Sequence, residues 1–223
     1  DCFSKMEQLL HKNLVRANKV SNELDESNLV ITGILPTLRK KDRAKKNMTP
    51  LKRYKILNDA LQEIRGNEFR MLIWGVDELS IKSKTILFEA CNTSFQVHLQ
   101  VELNDIVDKY NWAQIIAGPV LSILTNSPLI FGRELWSETR IAVFQQSIDT
   151  RNTSYHLREQ KPRVSFGTGW VRNNITDLYK DDISRYTALI TTDFEEDSME
   201  ELTKGRIPKL KALALHNGTL YKW

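Results

Sequence analysis

Within the stretch Glu89–Val101 the chain alternates from Asn92 onward. Thr93, Phe95, Val97, Leu99 and Val101 fall on one side of a period-two pattern. Asn92, Ser94, Gln96, His98 and Gln100 fall on the other. The pattern predicts a strand with its apolar face on a core. Its polar face carries no charge, yet every residue on it is a hydrogen-bonding group, one of them an imidazole. Such a face suits the floor of a polar cleft that holds metal or substrate oxygens. An amide-rich but merely wetted sheet face is the plainer alternative.

Other elements follow from the same kind of pattern. Met6, Leu9, Leu10, Leu14 and Ala17 predict an amphipathic helix from about Phe3 to Leu24. Leu29 to Leu35 predicts a strand ended by Pro36. A helix is expected from about Arg53 to Ile64, closed by Gly66, and a strand at Phe69–Trp74. Gly75 to Lys84 reads as a turn or short connection. A long helix, about Asp105 to Leu124 with Asn104 as cap, is apolar nearly all round in its second half and is expected at the centre of the fold. Asn126-Ser127-Pro128 ends it. Another helix is expected from Leu135 to Ile148. Arg151 to Lys161 is polar and expected to be mobile, and Arg163 to Trp170 is loop-like. A helix follows from Thr176 to Tyr186. Ser198-Met199-Glu200-Glu201 reads as a capping box for a short helix stopping at Gly205, and His216 to Tyr221 as a hairpin. Strands and helices mix without strict alternation. The expected fold is α+β: an antiparallel sheet with helices on one face, in a single domain over residues 1–223.

Composition narrows the function classes. The chain has 223 residues, 41% hydrophobic and 27% charged, which is ordinary for a globular protein. Lys and Arg number 32 against 28 Asp and Glu, so the net charge is +4. Six of the basic residues crowd Arg39 to Lys46, where a solvated loop is the usual reading and an approach to phosphate by Lys40, Lys41 and Arg43 the sharper one. Aromatics are not interleaved with the basic residues, so nucleic acid is not the expected partner. Cys2 and Cys91 have no metal-type spacing, and Cys91 reads as a small buried hydrophobe. No apolar run reaches the roughly 20 residues of a membrane helix. The five Asn-x-Ser/Thr sequons read as idle in a cytoplasmic chain. Asp1 in place of Met suggests a chain that starts inside a longer product. The final hairpin, cut short at Trp223, suggests another missing flank.

A second unusual segment runs from Asn126 to Arg140. Arg133 and Arg140 bracket an acidic, aromatic turn entering a helix. Guanidinium forks match phosphate and carboxylate. Surface ion pairs, Arg133 with Glu134 or Glu138 and Arg140 with Glu138, would use the same residues.

Taken together, Glu89 to His98, Asn126-Ser127-Pro128 and Gly132-Arg133…Arg140 resemble the glutamate–cysteine ligase family in its bacterial carboxylate–amine ligase branch. Ile34 to Arg39, Arg163 to Trp170 and His216 to Thr219 add to the resemblance. It implies a glutamine-synthetase-like catalytic sheet, ATP with Mg²⁺ or Mn²⁺, and an acyl-phosphate route from a glutamate-like carboxylate and an amine to a γ-amide. It implies substrate-binding roles for Asn92, Ser94, Gln96 and Gln100, metal ligation by His98 and Glu89, and catalytic roles for Arg133 and Arg140. Straight alternation places Glu89 on the apolar face unless a bulge intervenes. The chain also departs from the family. Its His-x-His pair is here Gln96-Val97-His98, and the glutamate-bearing flanking strands are not in the sequence. Little or no turnover by this chain alone is therefore expected. A homo-oligomer is compatible with the reading. The runner-up is a non-catalytic binding or regulatory module that keeps the cleft.

Overall fold

The β1 (Phe69–Trp74) and β2 (Glu78–Ser83) strands form an antiparallel hairpin, with Phe69 opposite Ser83 and Trp74 opposite Glu78. This computed structural model describes residues 2–66, 68–149, 151, 162–190, 192–193, 196–218 and 221–222. The hairpin alternates cleanly. Phe69, Met71 and Ile73 on β1 and Leu79 and Ile81 on β2 are buried, and Arg70, Trp74, Glu78, Ser80 and Lys82 are exposed. Gly75 to Lys84 is therefore no mere connection. Leu79 and Ile81 between polar neighbours carried the period-two signal.

Around the hairpin lies a core of Ile34, Phe88, Cys91, Ile130, Leu135, Ala142 and Val143, with Leu38 and Phe131 packed against it. Burying each large apolar side chain here contributes about 1.5–3 kcal/mol. Helix α4 (Thr139–Ser147) packs on β1. It starts later than the sequence suggests, because Arg133–Glu134 is strand β4, paired antiparallel with β3 (Leu129–Ile130). A smaller cluster of Leu61, Phe69, Ile86 and Leu189 ties α2 (Lys52–Arg65) to the hairpin's start. Gly66, at φ 67°, ends α2 and donates its N–H to Gln62 O. Only a residue without Cβ takes that left-handed cap cheaply.

Contacts divide the chain into two compact units, Asp1–Thr32 and Gly33–Trp223. The first is essentially α1 (Cys2–Asp25), within a residue or two of the predicted helix. None of its residues is buried, and Phe3, Met6, Leu9 and Leu10 are all exposed. Leu29 to Leu35 is not a strand; only Ile34 makes an isolated antiparallel bridge, to Asn92.

The long helix α3 (Ile106–Ile123) has the expected span but not the central place. It buries no residue, and Trp112, Ile115, Val120 and Ile123 are exposed. Asp105, not Asn104, is its N-terminal cap residue, and its side chain makes no capping bond. Further on come β5 (Val164–Ser165), α5 (Thr176–Arg185), α6 (Ser198–Thr203) and α7 (Lys211–Asn217). Asp197, one residue before the expected box, caps α6 by accepting from the Met199 and Glu200 N–H groups. His216 and Asn217 lie in α7 rather than a hairpin, and β6 (Tyr221–Lys222) pairs in parallel with β5. The expectation for Arg151 to Lys161 falls, apart from Arg151, outside the described residues.

The α+β class holds in its coarse sense: helices mixed with small sheets. The expected broad sheet does not. Among the described residues there are three separate two-stranded ladders.

Candidate functional site

The segment 89–101 is not the predicted strand. Glu89–Cys91 forms a single 3-10 turn, Asn92 bridges Ile34, and residues 93–101 have no regular structure. Phe95, Val97 and Leu99 are more than half exposed, so the apolar side of the alternation packs on no core. An alternating segment becomes a strand only when a neighbour supplies partners for its N–H and C=O groups. Among the described residues that neighbour extends no further than Ile34.

Where this segment starts, several distant parts of the chain meet. Gly33 donates its N–H to Asn126 O at 3.3 Å, and Thr93 donates to Gly33 O at 2.8 Å. Arg140 Nη1 donates to Thr93 O at 2.8 Å, while its Nε binds Glu138 Oε1. Glu138 also accepts from Ser127 Oγ at 2.6 Å and from the Asn126 N–H at 3.3 Å. Glu138 is only 6% exposed. Burial alone would raise its pKa, but the hydrogen bonds from Arg140 and Ser127, the Arg140 charge and the Asn126 N–H outweigh burial and hold it below the ordinary value.

The guanidinium also fills the place of a missing side chain. A Cβ on Gly33 would stand 2.4 Å from Arg140 Nε and 2.7 Å from its Cζ. The pairing of Arg140 with Glu138 is the ion pair that the spacing allowed. What the spacing could not convey is its burial and its reach to Thr93.

Arg133 sits elsewhere, exposed on β4, its backbone paired with Ile130. The hairpin that carries it is braced from behind. Asp77 donates its N–H to Glu134 O at 2.7 Å and accepts from the Glu134 N–H at 2.9 Å. Trp136 Nε1 donates to Trp74 O at 2.8 Å. A Cβ on Gly75 would be 2.4 Å from Leu135 Cα, so glycine is what lets these two backbones touch.

The remaining candidates lie on or just before the irregular 93–101 segment. Ser94, Gln96, His98 and Gln100 are all exposed. Asn92 is half-buried, and its Oδ1 is buried without a hydrogen-bond partner among the described residues. Glu89 lies one turn before it, and burial pushes its carboxyl above the ordinary value. Arg43, from the basic loop, lies over the Phe88 ring at 4.3 Å and the Phe131 ring at 5.3 Å. That contact pins the loop beside Glu89 and the β3–β4 turn. Asn92 and Arg140 thus meet, through Thr93. Among the described residues, no hydrogen bond or ion pair joins His98, Gln96 or Gln100 to them.

Among the described residues, no group of three or more His, Cys, Asp or Glu side chains is placed to hold a metal ion. Hard divalent ions need several oxygen ligands, so Glu89 and His98 do not by themselves fit such an ion. Sequence reasoning missed Gly33, Ser127 and Glu138 as parts of the cluster. Ser127 stood in the Asn126-Ser127-Pro128 motif, and Glu138 was visible only as an ion-pair partner.

Comparison with known families decides the grouping. The family described as glutamate-cysteine ligase family 2 (GCS2) matches residues 2–161. The chain belongs to this family. Membership in GCS2 implies a carboxylate–amine ligase-like function, and the matched residues include every candidate from Glu89 to Arg140. No curated protein and no solved structure matches the chain. No helix among the described residues is long and apolar enough to cross a membrane.

Proposed function

We propose that the protein is an ATP-dependent carboxylate–amine ligase, forming a γ-glutamyl amide from a glutamate-like carboxylate and an amine through an acyl phosphate. The observation that carries the reading is the family match over residues 2–161, which takes in both the 89–101 segment and the Arg133–Arg140 turn. A carboxylate is a poor electrophile until phosphorylated, and phosphoryl transfer relies on cations around the moving group more than on a nucleophilic side chain. Arg133, exposed on a braced hairpin, is suited to meet an anionic substrate group. Arg140 acts as the post that holds Gly33, Thr93 and Glu138 in register. Asn92, Ser94, Gln96 and Gln100 would bind substrate. His98 and Glu89 would be part of an Mg²⁺ or Mn²⁺ site that needs further oxygen ligands. The cytoplasm, which supplies ATP and glutamate, is the expected place of action.

A second reading is a binding or regulatory module without turnover. It is favoured by one observation: Arg140, a candidate catalytic cation, is already engaged by Glu138 and Thr93 O. The deciding measurement is ADP release with ATP, glutamate, a panel of amines and Mg²⁺ or Mn²⁺. It is made on this chain. Amine-dependent release, reduced in Arg133→Ala, supports the ligase. Its absence, with the protein folded, leaves the module.

A further inference from the structure

A second region with unused chemistry lies where α3, inside the matched residues, faces a loop beyond them. Between α3 and residues 166–173 is a hollow of about 260 Å³, lined by Tyr110, Phe166, Trp170, Leu178, Asp177 and Asp181 among others. A second hollow of about 490 Å³ shares Tyr110 and residues 166–170 as a wall and runs on along α3 past Gln114, Ile115 and Gly118. Trp170 and Phe166 are each 59% exposed.

The loop that holds these rings is heavily braced. Asn111 on α3 donates from Nδ2 to Val171 O at 2.8 Å and accepts from the Val171 N–H at 3.1 Å. Asp177 accepts from the Arg172 and Asn173 N–H groups at 3.2 and 2.9 Å. Thr168 Oγ1 donates to Asp181 Oδ1 at 2.5 Å, and Arg185 Nη1 to Asp181 Oδ2 at 2.8 Å. Gly167 stands at φ 102°, a region closed to most other residues. A loop pinned this way presents its aromatics in fixed positions, which is what a preformed ligand site requires.

Three features define the ligand. The rings of Tyr110, Phe166 and Trp170 favour a flat apolar group or a cation over a ring face. A cavity of roughly 150 Å³ suffices for one benzene ring, so the second hollow, which Gln114 lines, has room for a ring with a short tail. The lining holds two carboxylates and one guanidinium, Arg172, which does not suit a triphosphate. On the wall of the second hollow, the amide oxygen of Gln114 is buried without a hydrogen-bond partner among the described residues. Such an atom favours a ligand that brings an N–H donor and draws the amide round to meet it.

We propose that this groove binds a small primary amine carrying an aromatic ring, the ring against Tyr110, Phe166 and Trp170 and the ammonium at the Gln114 amide. Resting on the ligase reading above, that amine is the acceptor class.

The experiment is calorimetric titration of the chain with phenethylamine, in the absence of ATP. Saturable binding is expected. It should weaken at least about tenfold, or ~1.4 kcal/mol, in Trp170→Ala and in Gln114→Leu, and recover in Trp170→Phe. Ethylamine, without the ring, and phenethyl alcohol, without the ammonium, should each bind at least about tenfold less tightly. Trp170 is mostly exposed, and Gln114→Leu removes an unsatisfied polar atom. Thermal melts should therefore match the parent and separate lost binding from lost fold. Absence of saturation at millimolar phenethylamine, unchanged binding in Trp170→Ala, or tighter binding of adenosine than of phenethylamine would each overturn the proposal. Because ATP is left out, amine binding without turnover refutes only the ligase reading. Turnover with aliphatic amines alone refutes only this one.

Discussion

Gln146 takes the place of a third strand beside Leu72. The Leu72 N–H donates to Gln146 Oε1 at 2.8 Å, and Gln146 Nε2 donates to Leu72 O at 2.9 Å. One amide thus satisfies both backbone groups of a β1 residue and fixes α4 to the hairpin. Gln146→Leu should cost about 1–3 kcal/mol, because both Leu72 groups lose their partners. Gln146→Glu at neutral pH should lie between, keeping only the acceptor. Denaturant midpoints rank the three proteins, and exchange of the Leu72 amide reports the local loss.

Two glycines should differ in what they tolerate. Gly75→Ala sets a Cβ against the Leu135 backbone, which cannot swing aside, whereas Gly33→Ala meets the Arg140 side chain. Gly33→Ala should destabilise by about 1–3 kcal/mol, since Arg140 is held by Glu138 and Thr93. Gly75→Ala should cost more. Thermal unfolding of the two variants tests the order, and an equal or reversed ranking counts against it.

Glu138 and Glu89 should respond to pH with opposite signs. The pKa of Glu138 is lowered in the fold, so its contribution to stability is present above the unfolded value of roughly 4.3. It is lost as pH falls through the lower folded value. The stability gap between parent and Glu138→Gln should therefore shrink on acidification. Glu89, raised by burial, costs stability once ionised, so Glu89→Gln should be stabilising at pH 7 and neutral in acid. Urea midpoints across pH 3–8 for the parent and both variants read this out.

Cys91 should be silent toward thiol reagents in the native protein. Burial pushes its pKa up to about 11, against a smaller opposing effect of Arg43, while Cys2 is exposed. Since the thiolate is the reacting form, one thiol should react promptly at pH 8 and the second only on unfolding. Two fast thiols would show that the Phe88–Cys91 turn opens readily.

Arg133 and Arg140 should separate cleanly. Arg133→Ala should leave the melting temperature within about 1–2 °C of the parent, as surface substitutions do, and weaken binding of the anionic substrate. Arg140→Ala strips a buried carboxylate of its partner and should cost on the order of 3 kcal/mol. Melting curves beside glutamate and nucleotide titrations distinguish the two roles.

What the sequence shows depends on how local each cause is. The 3.6-residue periodicity and Gly66 put α1, α2 and α5 within a residue or two of their observed ends. Strand β2 is written in Leu79 and Ile81, but Gly75 and the charged Asp77, Glu78 and Lys82 make the stretch read as a turn. The 92–101 alternation is real in sequence, yet a strand is a property of two segments, and the partner reaches no further than Ile34. The apolar second half of α3 predicted a buried place because hydrophobicity states a preference and not the neighbour that satisfies it. The Arg140–Glu138 pair was legible from spacing. Gly33 beneath it was not, since nothing local to Gly33 announces a guanidinium from the far side of the fold.

Asn111 makes Val171 a reporter on α3. The helix side chain supplies both backbone partners of that loop residue, so the Val171 amide exchanges with solvent only when Asn111 lets go. Fraying of α3 near Asn111 and release of the Val171 backbone are then one event with one free energy. Whatever stiffens the helix, including a molecule lodged along it, will slow exchange some sixty positions away in sequence.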